Sequence, residues 1–252
     1  MLSMGIDIGG SGFRMGVFDI TTGALQGEFH QHQHQAPITP QTLVDRLRSC
    51  LEEANWSGPL GIGFPGAIQQ GTVLTAPNLG DDWIGMNLRE ELMGHHNGSF
   101  ALINDADAVG VAEYRMGAGR GETGTLLTLT IGTGIGTTVH HNGVMTPNLE
   151  YGRHQHPRLN GCLEEHISAA ARSKNQWSIE QWAERFQEGL DYFENLVSPD
   201  CIILYGGIME HWKEISPHLS TPMPIKAARY GETAGALGAA LVAVDGVNVS
   251  LG

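Results

Sequence analysis

Two stretches of this chain, separated by about half its length, follow one plan. Residues 4–8 read MGIDI, an apolar strand. They run into the glycine turn Gly9-Gly10-Ser11-Gly12, the alternating strand FRMGVFDI, the turn Thr21-Thr22-Gly23 and a third strand from Ala24. From Thr125 the chain reads TLLTLTI, then GTGIG, then TTVH, then an Asn142-Gly143 step that suits a tight hairpin. Two copies of strand, glycine turn, strand, turn, strand point to an internal duplication of one lobe. The strand FALI at Phe100 opens the second half, so lobes of 1–103 and 104–252 are expected. The last helix, about 231–246, is expected to fold back onto the first lobe.

Helices fill the gaps between strands. Thr39-Pro40 starts one in which Leu43, Leu47, Cys50, Leu51 and Ala54 recur at helical spacing until Gly58-Pro59. Ser178 with Gln181 forms a capping box for a long amphipathic helix that stops before Ser198-Pro199. CIILY from Cys201 reads as a short buried strand, followed by Gly206-Gly207 and a helix from about Met209. GETAGALGAALVA, from Gly231, predicts a small-residue helix able to pack closely on another element or a ligand. The His/Gln alternation from His30 to Gln35 reads as an exposed edge strand.

Composition narrows the partners. At 252 residues and 41% hydrophobic the chain buries a sizeable core, and 14 Lys+Arg against 27 Asp+Glu, net -13, argue against nucleic acid and anionic membranes. No window approaches the ~20 apolar residues of a membrane span. The N-terminal residues lack a basic leader region, and Cys50, Cys162 and Cys201 read as reduced thiols, the first and last in the core; a cytoplasmic protein is expected.

The glycine turns choose among three phosphate-binding schemes. A Rossmann turn opens a helix, whereas GGSG is followed by a segment that alternates as a strand does. The Walker lysine is absent. What remains is a β-hairpin whose turn amides approach phosphate oxygens because Gly9, Gly10 and Gly12 carry no Cβ, with Ser11 adding a hydroxyl. Thr133 and Gly134 repeat the arrangement, and two such hairpins facing across a cleft would hold one phosphate chain. A single such turn reads first as a tight hairpin without a ligand, and it is the second copy at this spacing that favours phosphate binding. Asp7, at the end of an apolar strand, needs a partner; Mg²⁺ or its water shell would serve, and capping of its own turn is the alternative. Asn104-Asp105 ends FALI and opens the helix DADAVGVAEYRMG, a position that suits an N-cap. With Asp107 nearby, Asp105 also suits the carboxylate that takes a proton from a hydroxyl attacking a phosphoryl group.

DIGGSG, GFPGAI, TAPNLGDDWIG, NDADAVGVAE, TLTIGTGIGTTV, NGVMTPNLEYG, SPDCIILYGGI and AGALGAALVA, in this order and over nearly the whole chain, resemble the ROK family, named for repressors, open reading frames and kinases. DIGGSG, DDWIG and the run from WSIEQWAERF to SPD are most similar to its polyphosphate glucokinase branch. The resemblance implies an α/β protein of the actin-like (ribonuclease H-like) ATPase architecture, with two lobes and duplicated phosphate hairpins. It implies a homodimeric kinase that moves a phosphoryl group from polyphosphate or ATP, with Mg²⁺, to the 6-hydroxyl of glucose; mannose or an N-acetylated hexosamine is the alternative acceptor. It implies Asp105 as catalytic base, Asn104, Glu150 and Glu164 on the sugar, and Asn78 supporting the sugar loop. Asp7, Gly9, Gly10, Ser11, Gly12, Thr133, Gly134, Gly206 and Gly207 fall in the donor-phosphate region.

Two departures from the family pattern matter. Arg153 stands where many members have a histidine, and between Glu150 and Glu164 its guanidinium would keep both carboxylates ionised; the alternative gives that role to His154. Cys162 is the single cysteine where those members carry a zinc-binding cluster, so no zinc is expected, and a set of His154, His156, Cys162 and His166 matches no standard zinc spacing. A non-catalytic sugar sensor and a transcriptional regulator are the rival readings. A regulator would need a DNA-binding segment before the kinase-like body, and here Met1 stands next to the phosphate strand.

Overall fold

The computed structural model describes residues 1–34, 37–93 and 98–246, which divide into two compact units: one of residues 1–112 with the stretch from Glu232, the other Glu113–Gly231. In the first, β1 (Leu2–Gly9), β2 (Gly12–Asp19) and β3 (Ala24–Gln33) form an antiparallel meander. After α1 (Pro40–Glu53), β4 (Leu60–Phe64) lies parallel to β1. A small hairpin of β5 (Ile68–Gln69) and β6 (Thr72–Val73) and helix α2 (Leu88–Met93) lead to β7 (Phe100–Asn104), parallel to β4. Helix α3 (Asp105–Arg115) then carries the chain out of this unit.

The second unit repeats the plan. β8 (Thr125–Ile131), β9 (Ile135–His141) and β10 (Val144–Thr146) form the meander, and after α4 (Glu164–Ile167), α5 (Ala169–Asn175) and α6 (Ile179–Val197) come β11 (Cys201–Tyr205), α7 (Trp212–Ile215) and β12 (Ile225–Ala227). The strand orders β3-β2-β1-β4-β7 and β10-β9-β8-β11-β12 are the same topology twice, a meander followed by two parallel strands. The duplicated hairpins of the sequence are therefore two copies of one sheet. Helix α8 (Ala234–Asp245) belongs to the first unit.

Local chemistry accounts for the elements. Thr39 caps α1, its hydroxyl accepting from the Thr42 amide, Pro40 takes the first turn, and the buried stripe Leu43, Val44, Leu47 and Leu51 covers one sheet face. Ser178 and Gln181 make the full capping box of α6, which buries Trp182, Phe186, Leu190 and Phe193 on the second sheet. Each such side chain contributes about 1.5–3 kcal/mol by leaving water. Two expectations change. The helix expected from Met209 is a 3₁₀ turn, Gly207–His211, followed by the single turn α7. β3 is an edge strand, but not an exposed one throughout: His32 stacks on Phe13 at 4.6 Å and His34 is buried, because alternate residues of the strand face inward. Gln35 lies outside the described residues.

Helix α8 lies against β1 and β4 at backbone distance. A Cβ on Gly5 would overlap the Ala236 carbonyl, and one on Gly61 the Ala239 carbonyl. Ser3 and Ser99 each donate a hydroxyl hydrogen bond of 2.8 Å to carbonyls of this helix, those of Ala240 and Ala243. Gly61→Ala is expected to lower stability by about 1–3 kcal/mol, since the methyl meets backbone that has no rotamer to yield. Urea unfolding measures it; a variant as stable as wild type would show that α8 is not seated on β4 in this way.

Candidate active site

β1, β4 and β7 run parallel, so their C-terminal ends share one edge of the sheet, and the candidate residues of the first unit gather there. Asp7 is paired in register with Gly63, and Phe64 with Asn104. A Cβ on Gly63 would stand 3.5 Å from Asp7 Oδ1 and 3.7 Å from the Asp105 Cα, so the two acidic residues flank one glycine. Asn104 is buried and caps α3: its Oδ1 accepts from the Asp107 amide at 3.0 Å and its Nδ2 donates to the Gly66 carbonyl at 3.1 Å. The cap leaves one amide hydrogen and one lone pair of Asn104 for a ligand. Asp105, first residue of the helix, accepts from the Ala106 amide through Oδ1 at 2.8 Å. Gly9 and Gly12 pair across the first turn, and Asn78 lies against Gly10 of that turn, its Cβ 3.3 Å from where a Cβ of Gly10 would be.

The niche of Asp7 has two glycine walls. Besides Gly63, Gly235 of α8 faces the carboxylate so closely that a Cβ there would lie 2.6 Å from Asp7 Cγ. Burial pushes the Asp7 carboxyl up to about 6, with the Arg14 charge opposing the shift. Neither glycine stands out in the sequence as a site residue, though both lie in segments that do, GFPGAI and AGALGAALVA.

In the second unit, Thr133 and Gly134 form the β8–β9 turn, where the Gly132 amide donates to the Gly134 carbonyl at 3.0 Å. Tyr205 of β11 is in register with Thr130 of β8, which brings Gly206-Gly207 beside this turn. Gly206 has φ 134°, and a Cβ on it would overlap the Ile131 carbonyl, so only glycine fits. Glu164 also reaches the turn: its Oε2 accepts from the Ile135 amide at 3.1 Å and covers Gly134. Thr137 of β9 holds the segment around Glu150, donating to the Leu149 carbonyl at 2.5 Å and accepting from the Tyr151 amide at 3.2 Å. Burial raises the Glu150 carboxyl; Arg153 opposes this and Glu164 adds to it, so these three charges act on one another. Arg153 is otherwise exposed, while His154 Nδ1 is 2.9 Å from the Tyr192 hydroxyl.

His156 Nδ1 accepts from the amides of Arg158 and Leu159, and among the described residues no three His, Cys, Asp or Glu side chains gather as a metal site. Lys226 is tied to Glu122 at 2.5 Å. Sequence reasoning missed Glu113, a fully buried carboxylate of α3 that accepts from the amides of Ala118, Arg229 and Tyr230. Its position inside NDADAVGVAE was the available signal.

The Asp7 shift fixes a pH dependence. The folded carboxyl titrates near 6 and the unfolded one near 3.8. Stability is therefore full below the lower value and falls as pH rises through the higher, by about 3 kcal/mol at most. Asp7→Asn removes that slope and, without Mg²⁺, is expected to be about 1–3 kcal/mol more stable than wild type at pH 7. Denaturant titrations across this range test it; an unchanged slope in the variant would assign the pH dependence to another group.

A model of the ROK family matches residues 3–154. The chain is 38% identical over 242 residues to the polyphosphate glucokinase of Mycobacterium tuberculosis, covering 95% of this chain and 90% of that one. It is 37% identical over 245 residues to the polyphosphate glucokinase of Mycobacterium leprae, covering 96% and 75%. Among solved structures, the inorganic polyphosphate/ATP-glucomannokinase of Arthrobacter sp. strain KM has a TM-score of 0.89 at 34% identity, over 96% of this chain and 98% of that one. A ROK glucokinase of Streptomyces griseus in complex with glucose and AMPPNP has a TM-score of 0.79 at 22% identity, over 95% and 98%, a likeness of fold alone. With its repeated sheet and these relatives, the chain has the actin-like ATPase fold and belongs to the ROK family.

Proposed function

We propose that this protein is a glucokinase that transfers a phosphoryl group from polyphosphate or ATP to the 6-hydroxyl of glucose, with Asp105 as general base. The observation that carries the reading is the sheet edge of the first unit, where Asp7 and the glycine turn at the end of β1 and Asp105 just after β7 flank Gly63 of β4, the strand between them. The relatives named polyphosphate glucokinase supply the donor and the sugar. Mannose is the second acceptor to test, after the glucomannokinase likeness.

In the reaction, the Asp105 carboxylate takes the proton of the sugar 6-hydroxyl as O6 bonds to the terminal phosphorus. The bond from that phosphorus to its bridging oxygen breaks, and ADP or the shortened polyphosphate leaves with the electron pair. Asn104 offers its remaining amide hydrogen to a sugar hydroxyl, Glu150 and Glu164 accept hydroxyl donors, and Arg153 keeps Glu150 ionised against its burial. The first turn, with Ser11, and Thr133, Gly134, Gly206 and Gly207 bind the donor. Asp7 fits a Mg²⁺ held through water: a carboxylate raised by burial, with no hydrogen-bond donor on it among the described residues, is relieved by a cation. Bound there, Mg²⁺ would neutralise phosphate charge.

Asp105→Asn is expected to cut kcat by about 10²–10⁴-fold and leave glucose binding intact, in a coupled assay crossing hexoses with ATP and polyphosphate. Near wild-type turnover would remove Asp105 from the mechanism. For the sugar subsite, Arg153→Ala should weaken glucose binding by about 1–3 kcal/mol, while His154→Ala, whose ring faces Tyr192, should matter little. Calorimetry with glucose decides, and the opposite pattern would move the role to His154.

A further inference from the structure

The first glycine turn is not held by its own hairpin alone. The end of β3 follows it closely: the His34 amide donates to the Ser11 carbonyl at 2.9 Å, and His34 Nε2 lies 3.2 Å from the Gly10 carbonyl. At Gly12 a Cβ would overlap the His32 carbonyl. Three successive residues of the turn therefore rest on one strand end, and two of the contacts come from a single residue.

His34 is 8% exposed, unlike its neighbours Gln31 and Gln33. A carbonyl oxygen can only accept, so Nε2 carries the hydrogen, and Nδ1 is buried with no hydrogen-bond partner among the described residues. Burial also holds the ring's proton affinity below the usual imidazole range. The ring is thus a neutral donor aimed at one carbonyl.

The planar trans peptide sets the consequence. Its C=O and N–H point in opposite directions, so a Gly10 carbonyl drawn toward the buried imidazole turns the Ser11 N–H the other way. Ser11 itself is exposed. We propose that His34 is a positioning residue for the phosphoryl donor: its Nε2–H fixes the Gly10–Ser11 peptide so that the Ser11 amide faces the donor phosphate. This rests on the kinase reading above and adds to it a residue outside the glycine motif. The side chain touches neither sugar nor phosphate.

The test separates orientation of the turn from general support of the fold. His34→Leu fills similar space without the donor. It is expected to raise KM for both ATP and polyphosphate about tenfold, with KM for glucose within about twofold of wild type. Affinity for a non-hydrolysable ATP analogue, measured by calorimetry, should fall in parallel. His34→Gln, whose amide nitrogen reaches as far as Nε2, should restore donor binding, whereas His34→Asn, whose amide corresponds to Nδ1, should not. If His34→Leu fails to fold, the Gln and Asn variants carry the comparison. Equal donor affinity in those two, or a common rise of donor and glucose KM, would overturn the inference. A wild type inactive with both donors would overturn the kinase reading, and this inference with it.

Discussion

In the first unit, a helix rests on a sheet with no side chains between them at the closest points. Carbonyls of Ala236 and Ala239 in α8 occupy the space that Cβ atoms of Gly5 and Gly61 would need. The helix is apolar on every face, and all residues from Ala234 to Ala243 are buried. Such a helix gains stability only if it is enclosed, and its Ala and Gly content permits enclosure at backbone distance. The niche for Asp7 follows from the same contact. Once Ala236 is seated on Gly5, its neighbour Gly235 necessarily comes to face the carboxylate two residues further along β1. The packing that closes the core is thus also what desolvates the acid, and the cost of burying Asp7 is met by the surrounding apolar contacts.

Much of this was readable from residues. The repeated strand–glycine turn–strand pattern, with Gly9-Gly10-Ser11-Gly12 in one copy and Gly132-Thr133-Gly134 in the other, is the duplicated sheet itself, because period-two alternation and turn glycines are local signals. Thr39-Pro40 and Ser178 with Gln181 marked helix starts for the same reason. Illegible were features made by pairing over distance. Nothing in HQHQHQ distinguishes His34 from His30, since alternation puts both on the same face and only the nearness of the strand end to the glycine turn buries His34. Glu113 reads as a solvated helix acid until the amides of residues 229 and 230, more than a hundred positions away, are seen around it. Gly63 and Gly235 pack against the Asp7 carboxylate, a contact that no local pattern signals.

The two turns share a topology and differ in what stands behind them. The first is backed by a neutral imidazole and a strand end; the second carries the Glu164 carboxylate on the Ile135 amide and over Gly134. A carboxylate and a phosphate repel at short range, so a phosphate at the second turn would be limited to amides that Glu164 leaves open. Gly206-Gly207, beside that turn and without side chains, widens the choice. Equivalent strands therefore need not bind equivalent groups.

For a polyanionic donor the wider charge pattern sharpens this argument. The chain has a net charge of -13 and only three lysines, of which Lys226 is spent on Glu122. Arg153 compensates Glu150, and Arg14 opposes the shift of Asp7. The long-range field of such a surface repels a phosphate chain and is screened within about 8–10 Å at physiological salt. On the proposed kinase reading, affinity would then come from contact: fixed amide dipoles of the glycine turns and a divalent cation brought with the donor. Amides bind only when they point the right way before the ligand arrives, because turning a peptide after binding costs the energy the contact would supply. In a chain this acidic, the proposed donor recognition would therefore depend on the orientation of a few peptide planes in the glycine turns.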